Sequence, residues 1–272
     1  MSLSALRNGL KADFDASSEW HAAKPSLQGS GPNKIAVVPI EGVLTKDGPA
    51  WYGSNYDTIS RGIEDAAGNL EVKHIVLSVD SPGGEVTGLP ETAALIAQAA
   101  KVKPVTAIVN GMSASAAYYL TSQANDIVLT PSGEVGSVGV RLMHVDVSKW
   151  LDDIGFKVTE MYSGEYKTEW SPYKPLSEEA KADMMPRLES VHQDFIDAVQ
   201  SGRGDRLTQD IKDRRIGEGR MFSSNDALKH GMVDRLQPTR DFFKALAPTQ
   251  ETQSPAPPRH LRHEVDKARA TS

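Results

Sequence analysis

The 272-residue sequence contains no cysteine, which excludes both a disulfide framework and a thiol nucleophile and agrees with a reducing compartment. It also lacks any apolar run close to the roughly 18 residues that a membrane span needs. The first twenty residues, MSLSALRNGLKADFDASSEW, contain no apolar core of a signal peptide. We therefore expect a soluble cytoplasmic protein that has no membrane partner.

An excess of positive charge is missing as well. The formal net charge is -6 and the isoelectric point is about 5.7, so nothing in the charge indicates a nucleic-acid partner. No P-loop and no HExxH motif occurs, and we expect no metal, nucleotide or redox cofactor. Hydrophobic residues make up 39% of the chain, which is enough for a packed core.

Short apolar stretches alternate with helical patterns along most of the chain. The strand candidates are KIAVVPIEGVL, HIVLSVD, PVTAIVN and DIVLT. The first helical pattern is YDTISRGIEDAAG, and the second places Leu89, Ala93, Ile96 and Ala100 on one stripe. This alternation predicts an α/β fold with a largely parallel sheet.

The longest helical pattern is SEEAKADMMPRLESVHQDFIDAVQSG, in which Ser177 suits the N-cap and Gly202 suits the C-terminal end. Pro186 predicts a kink or a break. Its predicted buried stripe consists of Met184, Leu188, Val191, Phe195 and Val199. A shorter helix, within SSNDALKHGMVD, is predicted to start at a Ser224 cap and to stop at Gly231.

Two polar segments flank this patterned region. Residues 1–33 end in the turn-rich QGSGPN and are predicted to form a flexible lead-in. Residues 238–272 are predicted to form a short helix and then a disordered, proline-rich and charged tail, because apolar groups are too few there to offset the ordering entropy. We expect a single domain over residues 34–237.

Two candidate turns with small residues follow predicted strands, DSPGGEV at residues 80–86 and NGMSAS at residues 110–115. In open α/β sheets, functional groups gather outside the carboxyl ends of strands. Gly83 and Gly84 could direct N–H groups at a developing oxyanion, and Ser115 would lie at a helix start that favours negative charge. Taken alone, a Gly-Gly pair is more often a simple turn, and Ser113 or Ser115 is more often a helix cap.

A serine nucleophile also needs a base. Among the seven histidines, His144 lies at a suggestive distance, 29 residues after Ser115 (144 − 115), although a partly exposed strand histidine is the simpler interpretation. The loop YSGEYKTEWSPY offers Lys167 instead, although most surface lysines are merely solvated. The residues alone leave both candidates open.

Five stretches, in order, resemble serine peptidase family S49, which includes signal peptide peptidase A and the head-maturation proteases of tailed bacteriophages. They are IAVVPIEGVL, DSPGGEV, GMSASAAYYL followed by GSVGV, YSGEYKTEWSPY, and GRMFSSNDALKHGMVDRL. Together they span roughly residues 34–237, which is most of the chain. Each stretch is weak alone, but five in the family's order make a specific pattern.

The resemblance implies the spiral of ββα units shared by the Clp protease and crotonase superfamily, and the activity of a serine endopeptidase. It places the nucleophile on Ser115 and the lysine base on Lys167, with an oxyanion hole formed by the backbone of Gly83, Gly84 and Ser115. An extended substrate would bind beside Pro82, Gly84, Val86 and Ala114. Candidates for an apolar wall around the lysine are Tyr118, Tyr119, Tyr166 and Trp170.

The resemblance also implies partners. The absence of a membrane anchor favours the phage proteases, which cut scaffold and capsid proteins inside the prohead. The scaffold commonly forms homo-oligomeric rings, and related signal peptide peptidases contribute the lysine across a subunit interface. The aromatic residues near Lys167 suit either an interface or a core. Ala116 and Ala117 stand where many family members carry glycines.

Three alternatives remain open at this point. A Clp-type peptidase would use His144 in a Ser–His–Asp triad. A crotonase-type enzyme would direct the same glycine N–H groups at an acyl-CoA thioester, but it gives Ser115 and Lys167 no role. A non-enzymatic assembly protein would keep the scaffold without the chemistry.

Overall fold

The computed structural model describes residues 24–29, 33–49, 52–208, 211 and 216–246. The strands of this part are β1 (Ser26–Gln28), β2 (Lys34–Leu44), β3 (Val72–Gly84), β4 (Val105–Ala114), β5 (Asp126–Leu129), β6 (Glu134–Gly136), β7 (Met221–Ser223) and β8 (Arg235–Leu236). The helices are α1 (Tyr56–Gly68), α2 (Leu89–Val102), α3 (Ala116–Thr121), α4 (Ser148–Asp153), α5 (Glu178–Arg203), α6 (Ser224–Lys229) and α7 (Thr239–Leu246), and a 3₁₀ turn covers Gly204–Arg206.

The strands form one mainly parallel sheet in the order β1-β2-β3-β4-β5-β8. β1 is antiparallel to β2, and the other neighbours on this path are parallel. β6 pairs in parallel with the end of β4, and β7 pairs antiparallel with β6. The predicted α/β fold is confirmed.

The expected ββα units are visible in the strand pairing. The register between β2 and β3 shifts after Glu41, and that between β3 and β4 shifts after Val79. β4 pairs with β5 through residues 106–109 and with β6 through residues 112–114. Each long strand therefore supplies a main-sheet stretch and then a second, offset stretch, and a helix follows each of them.

The predicted turns at SPGG and NGMSA are wrong, because both stretches continue a strand. β3 runs to Gly84 and β4 runs to Ala114. Gly111, with φ of 121°, lies between Val109 and Ser113, where the register of β4 with β3 shifts, and sequence reasoning interpreted this stretch as a turn. A side chain there would come within 2.6 Å of the Asp80 carboxylate. The small residues thus carry each chain from the main stretch into the offset stretch.

The main core lies on the face of the sheet that α1, α2, α3 and the C-terminal half of α5 cover. The stripe predicted for α2 is confirmed, except that Ala99 is buried and Ala100 only partly so. A smaller core lies under α7, where Phe242 packs with apolar side chains of the sheet, namely Ile35, Val37, Val76, Ile108 and Val128.

Helix α5 differs from its prediction in the middle and at its end. The Ser177 hydroxyl caps the helix by accepting the Ala180 N–H, as predicted. The helix continues through Pro186 without a break, because the bond lost there belongs to an exposed stretch where water can replace it. It ends at Arg203, with Gly204 rather than Gly202 as its C-cap.

The buried stripe of α5 is confirmed in its C-terminal half. Phe195 and Val199 are buried, whereas Met184, Leu188 and Val191 are only half-buried. In the short helix α6, the predicted cap is wrong by one residue. The hydroxyl of Ser223 accepts the Asp226 N–H, and Ser224 instead donates to the Pro131 carbonyl.

Residues 139–176, hereafter the exposed segment, have one short helix, α4, as their regular structure. Large apolar side chains are exposed along it, at Leu142, Met143, Val145, Trp150, Ile154, Phe156, Val158, Met161, Tyr162, Tyr166 and Tyr173. This many exposed large apolar side chains on one segment is typical of an interaction surface. None of the helices in the described ranges is long and apolar enough to cross a membrane.

The flanking segments lie mostly outside the described residues. From the predicted lead-in, residues 26–28 form β1 and pair with β2. From the C-terminal segment, residues 239–246 form α7. The predicted disordered tail falls on residues that the structure does not describe.

Candidate active site

Ser115 joins β4 to α3 in a strained conformation. Its φ is 52° and its ψ is -126°, and its side chain does not cap the helix that follows. The one other non-glycine residue with positive φ in the described ranges is Ser137, at 54°. Such backbone costs about 1–3 kcal/mol and clusters at functional sites. Both serines line the same cleft.

Ser113, the other serine of the motif, belongs to the core. It is fully buried, and its hydroxyl lies 2.9 Å from the hydroxyl of Thr121. Ser115 is half-buried and opens onto the cleft. The structure therefore distinguishes the two serines by their burial. From the sequence alone, either one was most simply interpreted as a helix cap.

Gly83 lies directly against Ser115. A Cβ atom placed on Gly83 would come within 2.7 Å of the Ser115 Cβ and within 2.9 Å of the Ala116 nitrogen. Gly83 also has φ of 94°, which side chains rarely adopt. Only glycine allows this strand to pass so close to the serine.

The backbone donors near Ser115 are partly engaged. The Ser115 N–H donates to the Gly136 carbonyl at 2.8 Å, and the Gly83 N–H donates to the Ser81 hydroxyl at 3.1 Å. Ala116 is the first residue of α3, and the first N–H groups of a helix have no acceptor within it. Sequence reasoning missed Ala116 as a donor, because its N–H is free only if the helix begins at this residue, and the sequence did not fix that start.

The strand that carries Gly83 and Gly84 is anchored just beyond them, at Glu85. The Glu85 N–H donates to the Leu44 carbonyl at 2.8 Å, and the Tyr56 hydroxyl donates to the Glu85 carbonyl at 2.6 Å. Burial raises the pKa of Tyr56, and the charge of Glu85 raises it further, so the phenol remains a donor. These bonds hold the glycine pair in position beside Ser115.

A cleft of about 860 Å³ opens in front of Ser115. Three of the predicted substrate-binding residues, Pro82, Gly84 and Val86, line it, whereas Ala114 is buried behind it. Of the aromatic candidates, Tyr119 lines the cleft, and Tyr118 is fully buried with its hydroxyl bonded to the Met232 carbonyl. Apolar side chains and the backbone of glycines therefore both line the cleft.

Lys167 does not line this cleft. It lies in the exposed segment, where its N–H donates to the Gly164 carbonyl and its side chain is exposed to solvent. His144 does not line the cleft either, since its Nε2 atom is bonded to the Ser171 carbonyl and its ring packs edge-on against Trp170. Within one chain, neither candidate base is brought to Ser115.

Helix α5 supplies a wall of the cleft that sequence reasoning missed. Val191, His192, Asp194 and Phe195 all line it. The apolar periodicity of α5 indicated a covered face, but periodicity cannot say that the face borders a cleft. The His192 Nε2 atom lies 2.6 Å from the Gly217 carbonyl and so ties α5 to the residues 218–219 of the adjoining wall.

Residues 97–253 match the family model of peptidase family S49. The chain belongs to peptidase family S49. Among curated proteins of known name, it is 31% identical to the capsid assembly protease C of Escherichia phage lambda, over 79% of this chain and 49% of that protein. It is 34% identical to protease 4 of Salmonella typhi, over 80% of this chain and 34% of that protein. The chain spans about half the length, or less, of these family S49 relatives.

Among solved structures, this chain is similar to a membrane-bound stomatin-specific protease in complex with a substrate peptide. The two structures superpose with a TM-score of 0.48 and 17% sequence identity, over 79% of this chain and 83% of the other.

Among the described residues of this S49 chain, no group of three or more His, Asp or Glu side chains is arranged to hold a metal ion.

Proposed function

We propose that this protein is a serine endopeptidase whose nucleophile is Ser115. The observation that carries the proposal is the strained backbone of Ser115. Its hydroxyl does not cap the following helix, and the residue lines the cleft directly beside Gly83. A strained turn that exposes a serine is an arrangement suited to nucleophilic catalysis. Membership of family S49 agrees with this chemistry.

The oxyanion of the tetrahedral intermediate would form between the glycine strand and the start of α3. Ala116 offers a backbone N–H there, and Gly83 and Ser115 can contribute if their present bonds to Ser81 and Gly136 lengthen. Removing one such donor typically costs a factor of about 100–1000 in rate. The close packing of Gly83 on Ser115 keeps these backbone groups together at the start of α3.

The base in this proposal is Lys167 of a second copy of the chain. Lys167 lies on the exposed segment, outside the cleft of its own chain, and the side chains around it are apolar and exposed. A second copy would bury these side chains and could bring the lysine to Ser115. A lysine base must be neutral when it accepts the serine proton, and a buried interface favours the neutral form of a lysine.

The substrates in this proposal are scaffold and capsid proteins of a phage or prophage head. The support is the 31% identity to the phage lambda capsid assembly protease. The substrate chain would lie extended beside Pro82, Gly84 and Val86, where strand-like backbone can pair with it. Capsid and portal genes beside the gene for this chain would agree with this assignment, and co-expression with those proteins would show whether they are cut.

Reaction with a fluorophosphonate tests the nucleophile. We expect the wild-type protein to gain one reagent mass, which peptide mapping assigns to Ser115, and to hydrolyse peptides. Ser115→Ala should abolish both. Labelling at another residue, or peptide hydrolysis that survives in Ser115→Ala, would contradict the proposal.

A further inference from the structure

Tyr119 lines the cleft and carries a hydroxyl that makes no hydrogen bond to another described residue. Its side chain is only 8% exposed, it lines the cleft, and its ring centroid lies 5.1 Å from that of Phe195. Within the described residues, its hydroxyl has no hydrogen-bond partner, whereas neighbouring Tyr118 donates to the Met232 carbonyl at 2.9 Å. The hydroxyl is not among the buried polar atoms that lack a partner, so it is accessible from the cleft. It is therefore free to bond a group of a ligand that enters the cleft.

The walls of the cleft around Tyr119 are apolar. Leu89 and Pro90, at the start of α2, form one wall, and Val191 and Phe195 of α5 form another. These side chains offer methyl, methylene and ring carbons to a long side chain that enters the cleft. Burial of apolar stems on such walls is favourable whether or not the side chain ends in a charge.

Two carboxylates act electrostatically on the Tyr119 phenol. Asp194 lines the cleft, and Glu91 follows Pro90 in the first turn of α2. Burial raises the pKa of the Tyr119 phenol, and the negative charges of Asp194 and Glu91 raise it further. Neither carboxylate forms an ion pair with a basic side chain in the described ranges. Two carboxylates without a basic partner therefore lie near the polar end of the subsite, and Arg141 and His192 also line the cleft.

We propose that this subsite binds a lysine or arginine side chain of the substrate. The aliphatic stem would pack on Leu89, Val191 and Phe195, and the cationic head would donate to the Tyr119 hydroxyl while facing Asp194 and Glu91. The inference rests on the proposed peptidase function and deepens it, since it names a basic residue close to the cleaved bond. A wholly apolar side chain would make no bond to the hydroxyl and would gain nothing from the two carboxylates.

Cleavage profiling of a mixed peptide library tests the subsite in the full-length protein. We expect lysine or arginine to be enriched at one position near the cleaved bond, with a kcat/KM about fivefold above that of a matched norleucine peptide. In Asp194→Asn combined with Glu91→Gln, the ratio of the two kcat/KM values should fall to about one. Asp197→Asn is the control, because Asp197 lies on α5 outside the cleft, bonded to Gln193; it should keep both the activity and the ratio.

Binding separates failure of the subsite from failure of the peptidase function. Fluorescent lysine and norleucine peptides are titrated into Ser115→Ala, with and without the two carboxylate substitutions, and anisotropy is measured. Tighter binding of the lysine peptide that needs the carboxylates supports the subsite even if no peptide is hydrolysed by the wild type. Equal binding of both peptides, or a lysine preference that survives the double substitution, would overturn it.

Discussion

The Cα of Gly83 lies so close to Ser115 that an added Cβ would stand 2.7 Å from the Ser115 Cβ. This distance is shorter than carbon atoms tolerate without a shift of backbone. The glycine strand and the serine turn are therefore fitted to one another, and the geometry of the candidate oxyanion hole depends on both.

Gly83→Ala should reduce peptide hydrolysis at least about 100-fold, because the new methyl group displaces the strand from Ser115 and moves the oxyanion donors. Gly204→Ala is the matched control. Gly204 also has positive φ, at 53°, but an added Cβ there meets no atom within 4 Å. Positive φ should cost each variant about 1–2 kcal/mol of unfolding free energy, with a further loss in Gly83→Ala from the collision with Ser115, and only Gly83→Ala should lose activity. Equal activity in the two variants would contradict the assignment.

Ser113→Ala and Ser115→Ala should have opposite effects on stability and activity. Ser113 is buried and bonded to Thr121, so its replacement should cost about 1 kcal/mol of unfolding free energy and leave most activity. Ser115 makes no capping bond, so its replacement should abolish activity with little change in stability. Urea unfolding and peptide hydrolysis measured on both variants check this. The reverse pattern would place the nucleophile at Ser113.

Lys167→Arg should be as inactive as Lys167→Ala. Arginine keeps the positive charge but is not deprotonated in proteins, so it cannot accept the serine proton. The two variants are compared by kcat on one peptide, with Lys157→Arg, on the same exposed segment, as the control. Substantial activity in Lys167→Arg would show that the lysine acts through its charge alone.

The fold should lose stability in acid through the ion pair of Arg203 with Asp234. Arg203 is buried at the end of α5 and donates to both Asp234 oxygens, at 2.8 and 3.0 Å. Burial raises the pKa of Asp234, but the hydrogen bonds and charge of Arg203 outweigh it, so the pKa lies below its ordinary value. A lowered pKa stabilises the fold above the ordinary pKa of about 4, and this stabilisation disappears as the pH falls through the lowered value.

Asp234→Asn should therefore lower the unfolding free energy at pH 7, by about 3 kcal/mol, and should weaken its decline between about pH 5 and 3. Urea unfolding of both proteins at several pH values measures this difference. Parallel curves for the variant and the wild type would show that other groups govern the acid sensitivity.

Sequence patterns indicated candidate site residues more readily than the surroundings of those residues. The small residues around Ser115 and the paired glycines are local patterns, so the order of residue types was enough to indicate a candidate site. Local patterns could not show that SPGG and NGMSA continue strands, because strand pairing with β2 and β6 decides that. The α5 wall of the cleft was also missed, since the position of α5 beside Tyr119 depends on tertiary packing.

Lys167 marks another limit of inference from one chain. The loop motif located the residue, and the structure places it on an exposed segment rather than in the cleft. Trp150, Phe156 and Met161 on that segment are exposed, and no described residue of the same chain covers them. This arrangement makes physical sense if another copy completes the site.

Mixed assemblies test that central claim most directly. Ser115→Ala and Lys167→Ala are prepared with different tags, shown to be inactive alone, and then co-expressed and purified through both tags in succession. If Ser115 of one copy works with Lys167 of another, the mixed assemblies contain junctions with both groups intact, and peptide hydrolysis returns to a substantial fraction of the wild-type rate. Doubly tagged assemblies that remain inactive would contradict the account and place both groups in one chain.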